Sequence, residues 1–185
     1  MTTISSRLPD ADSGGPLAVL GLDPGSRVTG WGVVEERAGR LTAVAWGVVR
    51  CPRNEPLATR LRRLHAGIRD VVARFPPDES AAESVFSAAS VGSALTLGQA
   101  RGAVLAALDD LVFAEYAPRA VKKALTGYGA AGKPAVANMV ARRLRLDAPP
   151  EPADAADALA VAVCHLDARR AARRLPRRLP AGARR

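Results

Sequence analysis

Three strand-like segments follow one another with only short turns between them, and each later strand is separated from the last by a helix. Leu17–Leu22 is a continuous apolar run that ends on Asp23 and turns at Pro24-Gly25-Ser26. Thr29–Val34 and Leu41–Arg50 follow, joined through the hairpin turn Ala38-Gly39-Arg40. Such a trio folds most simply as an antiparallel meander. Pro56 then opens a helix in which Leu57, Leu61, Leu64, Ile68, Val71 and Val72 recur at helical spacing. Strands reached through helices beyond that point pair in parallel, through crossovers. The expectation is an α/β fold with a mixed five-stranded sheet, three antiparallel strands then parallel strands, flanked by helices.

One segment resists this pattern. Glu79-Ser80-Ala81-Ala82 is neither β-branched nor alternating, so local propensity argues against a central strand there. The rest of the chain is easier to parse. A small-residue helix starts at Gly92 or Ser93 and runs through Leu108, and Leu111–Tyr116 is a short strand. Pro118–Leu125 and Pro134–Leu144 are helices on either side of a glycine loop, Thr126–Gly132. Pro149-Pro150-Glu151-Pro152 breaks the chain before a last helix, Ala153 to about Ala168.

The length of 185 residues suits one domain with a sizeable core. No apolar run approaches the roughly 18 residues of a membrane span, and Met1–Gly15 has no apolar stretch of the kind a secretory signal carries. The two cysteines, Cys51 and Cys164, have no metal-binding spacing and fit a reducing cytoplasm. The net charge of +9 is unevenly placed: Arg169–Arg185 holds eight Arg and no acid. Removing that tail and the −1 of residues 1–16 leaves +2 for residues 17–168. The organisation expected is a flexible N-terminal extension (1–16), a folded domain (17–168) and a disordered arginine-rich tail (169–185). Such a tail has two readings, a merely solvated end or a contact to DNA or RNA without sequence choice.

Four carboxylates stand out as having no structural purpose in common. Asp23 is carried to the tip of a strand, Glu83 follows the awkward segment, and Asp154 and Asp157 lie in Ala153-Asp154-Ala155-Ala156-Asp157-Ala158-Leu159-Ala160. Spacing i, i+3 puts the last two on one helix face, where like charges repel unless a cation sits between them. Hard oxygen ligands suit Mg²⁺, with Mn²⁺ as a substitute. Taken singly, each acid has an ordinary explanation: Asp23 as a turn residue, Asp154 as an acid favoured by the helix dipole.

Other motifs are decoys. Gly127-Tyr128-Gly129-Ala130-Ala131-Gly132 fits a dinucleotide fingerprint but follows a helix, not the first strand of a βαβ unit. Gly132-Lys133-Pro134 fails as a phosphate loop because Pro134 has no hydroxyl for Mg²⁺. His65 reads as a helix histidine. His165 lies eleven residues past Asp154, about 16 Å along the axis at 1.5 Å per residue, too far to share its metal.

The motifs together resemble the RuvC family of Holliday-junction resolvases. Leu20-Gly21-Leu22-Asp23-Pro24-Gly25-Ser26-Arg27-Val28-Thr29-Gly30-Trp31-Gly32 looks like its opening strand-turn-strand. Glu83-Ser84-Val85-Phe86 resembles its second motif, and Ser93–Gly102 its long helix. Val121-Lys122 and Lys133 resemble its lysine segment, and Ala153–Ala160 its closing motif. The resemblance covers about residues 17–168. It implies an RNase H-like fold, a homodimer and metal-dependent cleavage of four-way junction DNA. It implies two Mg²⁺ per subunit on Asp23, Glu83, Asp154 and Asp157, with Asp23 bridging, and Lys122 and Lys133 at the scissile region. Phe86 matches an aromatic inserted at the junction centre, as unstacking base pairs requires an apolar wedge. Arg27 and Arg101 are candidate DNA contacts. A junction branch-migration helicase complex is the implied partner.

Three rival readings remain at this stage. Half of a sugar kinase or actin-like ATPase would need two such domains. A non-catalytic DNA-binding protein gives no reason for four clustered acids. The same fold cutting another nucleic acid, RNA or damaged duplex, is the rival least separated by sequence.

Overall fold

The computed structural model describes residues 15–84 and 90–174. Its strands are β1 (Leu17–Asp23), β2 (Val28–Arg37), β3 (Arg40–Arg50), β4 (Glu79–Glu83) and β5 (Val112–Tyr116). The helices are α1 (Leu57–Arg74), α2 (Val91–Ala106), α3 (Pro118–Thr126), α4 (Lys133–Leu144) and α5 (Ala153–Arg174). The strands form one sheet in the order β3-β2-β1-β4-β5. β1 is antiparallel to β2 and β2 to β3, whereas β4 runs parallel to β1 and to β5. The meander and the crossovers expected from the sequence are both present. The β2–β3 turn is tight because Ala38 and Gly39 both take positive φ, 49° and 79°, the geometry that matches strand twist in a two-residue hairpin.

Helices cover both faces of the sheet. α3, α4 and α5 close over a core that includes Val19, Ala81, Val121, Val140, Leu159 and Leu166. On the opposite face α1 and α2 close over Leu20, Leu22, Leu64, Ile68, Ala82 and Val104. Alternation along a strand decides which residue faces which layer. In β1, Val19 and Gly21 face α5, so Asp23 does too. In β4 the same period turns Glu79, Ala81 and Glu83 toward α5.

α5 lies almost backbone to backbone on the sheet. A Cβ added at Gly21 would sit 2.0 Å from the Ala158 carbonyl oxygen, and one at Gly30 1.9 Å from that of Asp154. Gly32 meets the Leu159 side chain in the same way. Gly21 pairs with Gly32, and Gly30 with Asp23, so the three glycines make a floor across β1 and β2. Ala158 and Ala162 of α5 lie directly against Gly21.

β4 forms although its sequence has little strand propensity, because burial in the middle of the sheet overrides local preference. Glu79 is 1% exposed. Its carboxylate receives His165 Nε2 at 2.7 Å and the Arg169 guanidinium, and His165 Nδ1 lies 2.8 Å from the Tyr116 hydroxyl. Burial lowers the pKa of His165. A neutral ring donates from Nε2 to Glu79 and accepts the Tyr116 hydroxyl at Nδ1. α5 also runs past its expected end near Ala168, to Arg174. Arg170 explains part of that extension: it pairs with Glu36 and donates to the Gly39 carbonyl at 2.8 Å. Among the described residues no helix is long and apolar enough to cross a membrane.

Candidate active site

The parallel register pairs Leu22 with Ala82, so the next residues along, Asp23 and Glu83, end their strands side by side. The turn after Asp23 is held from three directions. Thr29 Oγ1 donates to the Gly25 carbonyl at 3.2 Å, Arg60 to the Ser26 carbonyl at 3.0 Å, and the Cys51 amide to the Arg27 carbonyl at 2.8 Å. The Ser84 amide donates to the Tyr116 carbonyl at 2.9 Å, which fixes the chain just past Glu83. Arg101 donates to the Glu83 carbonyl at 2.6 Å and also pairs with Glu115.

The close seating of α5 brings its first turns to these strand ends. Asp154 lies in the first turn of the helix, where the dipole favours an acid, and Asp157 follows one turn on. Lys133, at the start of α4, places Nζ 2.7 Å from Asp157 Oδ2. Lys122 of α3 acts electrostatically on Glu83.

The titration of the cluster shows how crowded it is. Asp23 is pushed up from 3.8 to about 7, first by burial and then by the charges of Asp157, Glu83 and Asp154, with Lys133 opposing. Glu83 is raised by burial and by Asp157, against Lys122 and Lys133. Lys133 is raised by its hydrogen bond and charge interaction with Asp157, and by Asp23 and Asp154. Three carboxylates thus bear on Asp23 at once, and one ammonium opposes them.

The donor set fits a hard divalent cation: four carboxylates from three segments, mutually repelling and incompletely compensated. Among the described residues no three His, Cys, Asp or Glu side chains close to ligating distance around one point. The acids are gathered but spread, with Lys133 interacting with Asp23, Glu83, Asp154 and Asp157. A cation of charge +2 would supply the compensation that Lys133 and Lys122 leave incomplete.

The other sequence candidates fall in different places. Arg27 is exposed beside the Asp23 turn. Arg101 is largely buried, its side chain 12% exposed, and its guanidinium is engaged with Glu83 and Glu115 and lies over the Phe113 ring. Phe86 lies outside the described residues. The sequence reading missed the bracing geometry around Arg101 and the Glu79–His165–Tyr116 network. A Glu beginning an unlikely strand was the available signal for the second.

A five-stranded 3-2-1-4-5 sheet with a carboxylate cluster at the ends of β1 and β4 defines an RNase H-like domain with a nuclease-type site. The family model for crossover junction endodeoxyribonuclease RuvC matches residues 19–165, and the chain belongs to that family. A crossover junction endodeoxyribonuclease RuvC of Oleidesulfovibrio alaskensis is 49% identical over 168 residues, 90% of this chain and 97% of the relative. The structure of Thermus thermophilus RuvC in complex with a Holliday junction substrate superposes with a TM-score of 0.79 at 37% identity, covering 84% of this chain and 96% of that one. A yeast mitochondrial Holliday junction resolvase shares the fold at 12% identity, with a TM-score of 0.57 over 79% of this chain and 77% of its own.

Proposed function

We propose that the chain is a divalent-metal-dependent endonuclease that resolves four-way DNA junctions by nicking two strands symmetrically across a homodimer. The observation that carries this reading is the placement of Asp23 and Glu83 at adjacent strand ends, facing Asp154 and Asp157 across the glycine floor, in a chain of the RuvC family. The four carboxylates would hold two Mg²⁺, with Mn²⁺ as a substitute. Asp23 is the natural shared ligand because the other three acids all bear on it. When bound, such ions stabilise the charge that develops on the attacking and leaving oxygens and acidify the attacking water.

The protein's own groups have distinct tasks in this reading. Lys133 balances Asp157 before DNA arrives and is placed to turn its ammonium to a scissile phosphate. Lys122 supplies a second point charge beside Glu83. Arg27 meets the DNA backbone next to the site. Arg101 serves as a positioning residue, since its guanidinium holds the Glu83 carbonyl. Phe86 is the proposed wedge at the junction centre. The nuclease domain in this reading is residues 17–168, with the N-terminal extension and the arginine tail as additions.

The dimer reading is supported by the outer face of α2. Val91 and Leu95 are 88% and 64% exposed, and a Cβ at Gly98 or Gly102 would meet nothing within 4 Å. That face is apolar and flat enough for a second α2 to pack closely. A branch-migration helicase complex as partner and a cytoplasmic location complete the proposal.

The test is cleavage of a labelled four-way junction against linear duplex of the same sequence, with Mg²⁺ and with EDTA. Symmetric, metal-dependent nicks confined to the junction are expected. Asp157→Asn should lose cleavage by at least about 10²-fold, the scale of losing one preorganised charge group, and still bind the junction. Cleavage by Asp157→Asn at the wild-type rate would remove the four-carboxylate site.

A further inference from the structure

Beside the active strand ends lies a cavity of about 610 Å³ whose rim carries Arg27, Arg50, Arg53 and Arg63. We infer that it is a seat for the phosphodiester backbone of a duplex arm, flanking the cleaved strand. This inference rests on the junction-cleaving reading and adds to it a second place where DNA is held.

The seat is built by the fold and not by a flexible run of charge. Val28 pairs with Arg50 at the ends of β2 and β3. The Cys51 amide binds the Arg27 carbonyl at 2.8 Å, which locks the Arg27 turn to the start of the Cys51–Arg53 segment. Cys51 is 8% exposed and closes the cavity floor. Arg63 reaches the rim from α1 and is held there by Glu55. Among the described residues Arg27, Arg50 and Arg53 have no carboxylate partner. Three exposed guanidiniums gathered without an anion repel one another, and each offers a planar fork matched to phosphate oxygens.

Position argues for DNA and not a free anion. Asp23 pairs with Gly30, two residues along β2 from Val28, which pairs with Arg50 at the same end of the sheet. With strands about 4.8 Å apart and a rise of about 3.4 Å per residue, Arg50 lies roughly 12 Å from Asp23, backbone to backbone. Rise along the duplex axis is about 3.4 Å per nucleotide, and successive phosphates are farther apart than that, so the span is at most roughly four nucleotides. A backbone whose scissile phosphate sits at the carboxylates is thus within reach of these arginines.

The test measures binding of the full chain to linear duplex in EDTA as a function of salt, so no cleavage is needed. Each lost phosphate contact lowers the slope of log affinity against log salt by about 0.9. Arg50→Glu/Arg53→Glu should lower the slope by about 2. Affinity would then fall about tenfold less than in wild type between 50 and 200 mM salt. Arg50→Lys/Arg53→Lys, which keeps both charges, should retain the wild-type slope. Arg142→Glu, an exposed reversal on α4, serves as the control for net charge and should lower the slope by less than half as much. A slope unchanged in the double reversal, or lowered equally by Arg142→Glu, overturns the seat and leaves the resolvase reading intact. A wild-type chain that binds no duplex or junction DNA at all overturns both. On a four-way junction, a neutral methylphosphonate scanned through the roughly four nucleotides on either side of the scissile phosphate should at one or more positions weaken wild type several-fold and leave the double reversal unchanged; equal losses in the two at every position would also overturn the seat.

Discussion

Asp23 is the residue on which the site turns, and its protonation ties stability to function. Its folded pKa of about 7 stands above its ordinary 3.8. The folded chain therefore keeps a proton that the unfolded chain gives up between about pH 4 and 7, so metal-free stability falls as pH rises through that window. The gap corresponds to a ceiling of about 4 kcal/mol at 1.36 kcal/mol per pKa unit. Asp23→Asn removes the penalty. In EDTA the variant should be more stable than wild type at pH 8, with the difference vanishing near pH 4. Adding Mg²⁺ should stabilise wild type and leave the variant nearly unmoved. Denaturation of both proteins across pH 4–8 checks this; parallel stability curves would mean that Asp23 is not strained by its neighbours.

At the scale of elements, the site depends on how closely α5 approaches the sheet. Gly21→Ala would drive a methyl group to 2.0 Å from the Ala158 carbonyl oxygen, backbone that has nowhere to turn. We expect a loss of about 1–3 kcal/mol or more, with weaker Mg²⁺ binding because Asp154 and Asp157 ride on the displaced helix. Thermal unfolding and metal titration read the two effects separately, and a variant within about 0.5 kcal/mol of wild type would show that α5 is not fixed by this floor. Much of this layer was legible in the sequence. Leu17–Asp23, the Gly39 hairpin and the i, i+3 acids all announce themselves through periodicity and turn chemistry. β4 did not, because Glu79 and Ser80 are tolerated in a strand only through partners that lie far away in sequence. Arg101 read as a DNA contact for the same reason: the carbonyl it holds, at Glu83, is eighteen residues away. Pairing across such distances leaves no local signature.

For the whole molecule, the α2 face left exposed among the described residues sets the expected assembly. Leu95→Glu should convert a dimer into a folded monomer by sedimentation, with its thermal midpoint within a few degrees of wild type. Its nicks in the two junction strands should become uncorrelated. A wild-type chain that sediments as a monomer at micromolar concentration would end the dimer reading. The placement of the acids along the chain has a further consequence, one of timing. A ribosome releases Asp23 first, and Asp157 follows 134 residues later. At roughly 5–20 residues per second, that is an interval of roughly 7 to 27 s. Until Asp154 emerges, the nascent sheet carries at most two of the four carboxylates and has no complete α5 to press against the glycines. If the four carboxylates form the cutting centre, the nuclease is inert while it is being made and becomes competent only when α5 docks.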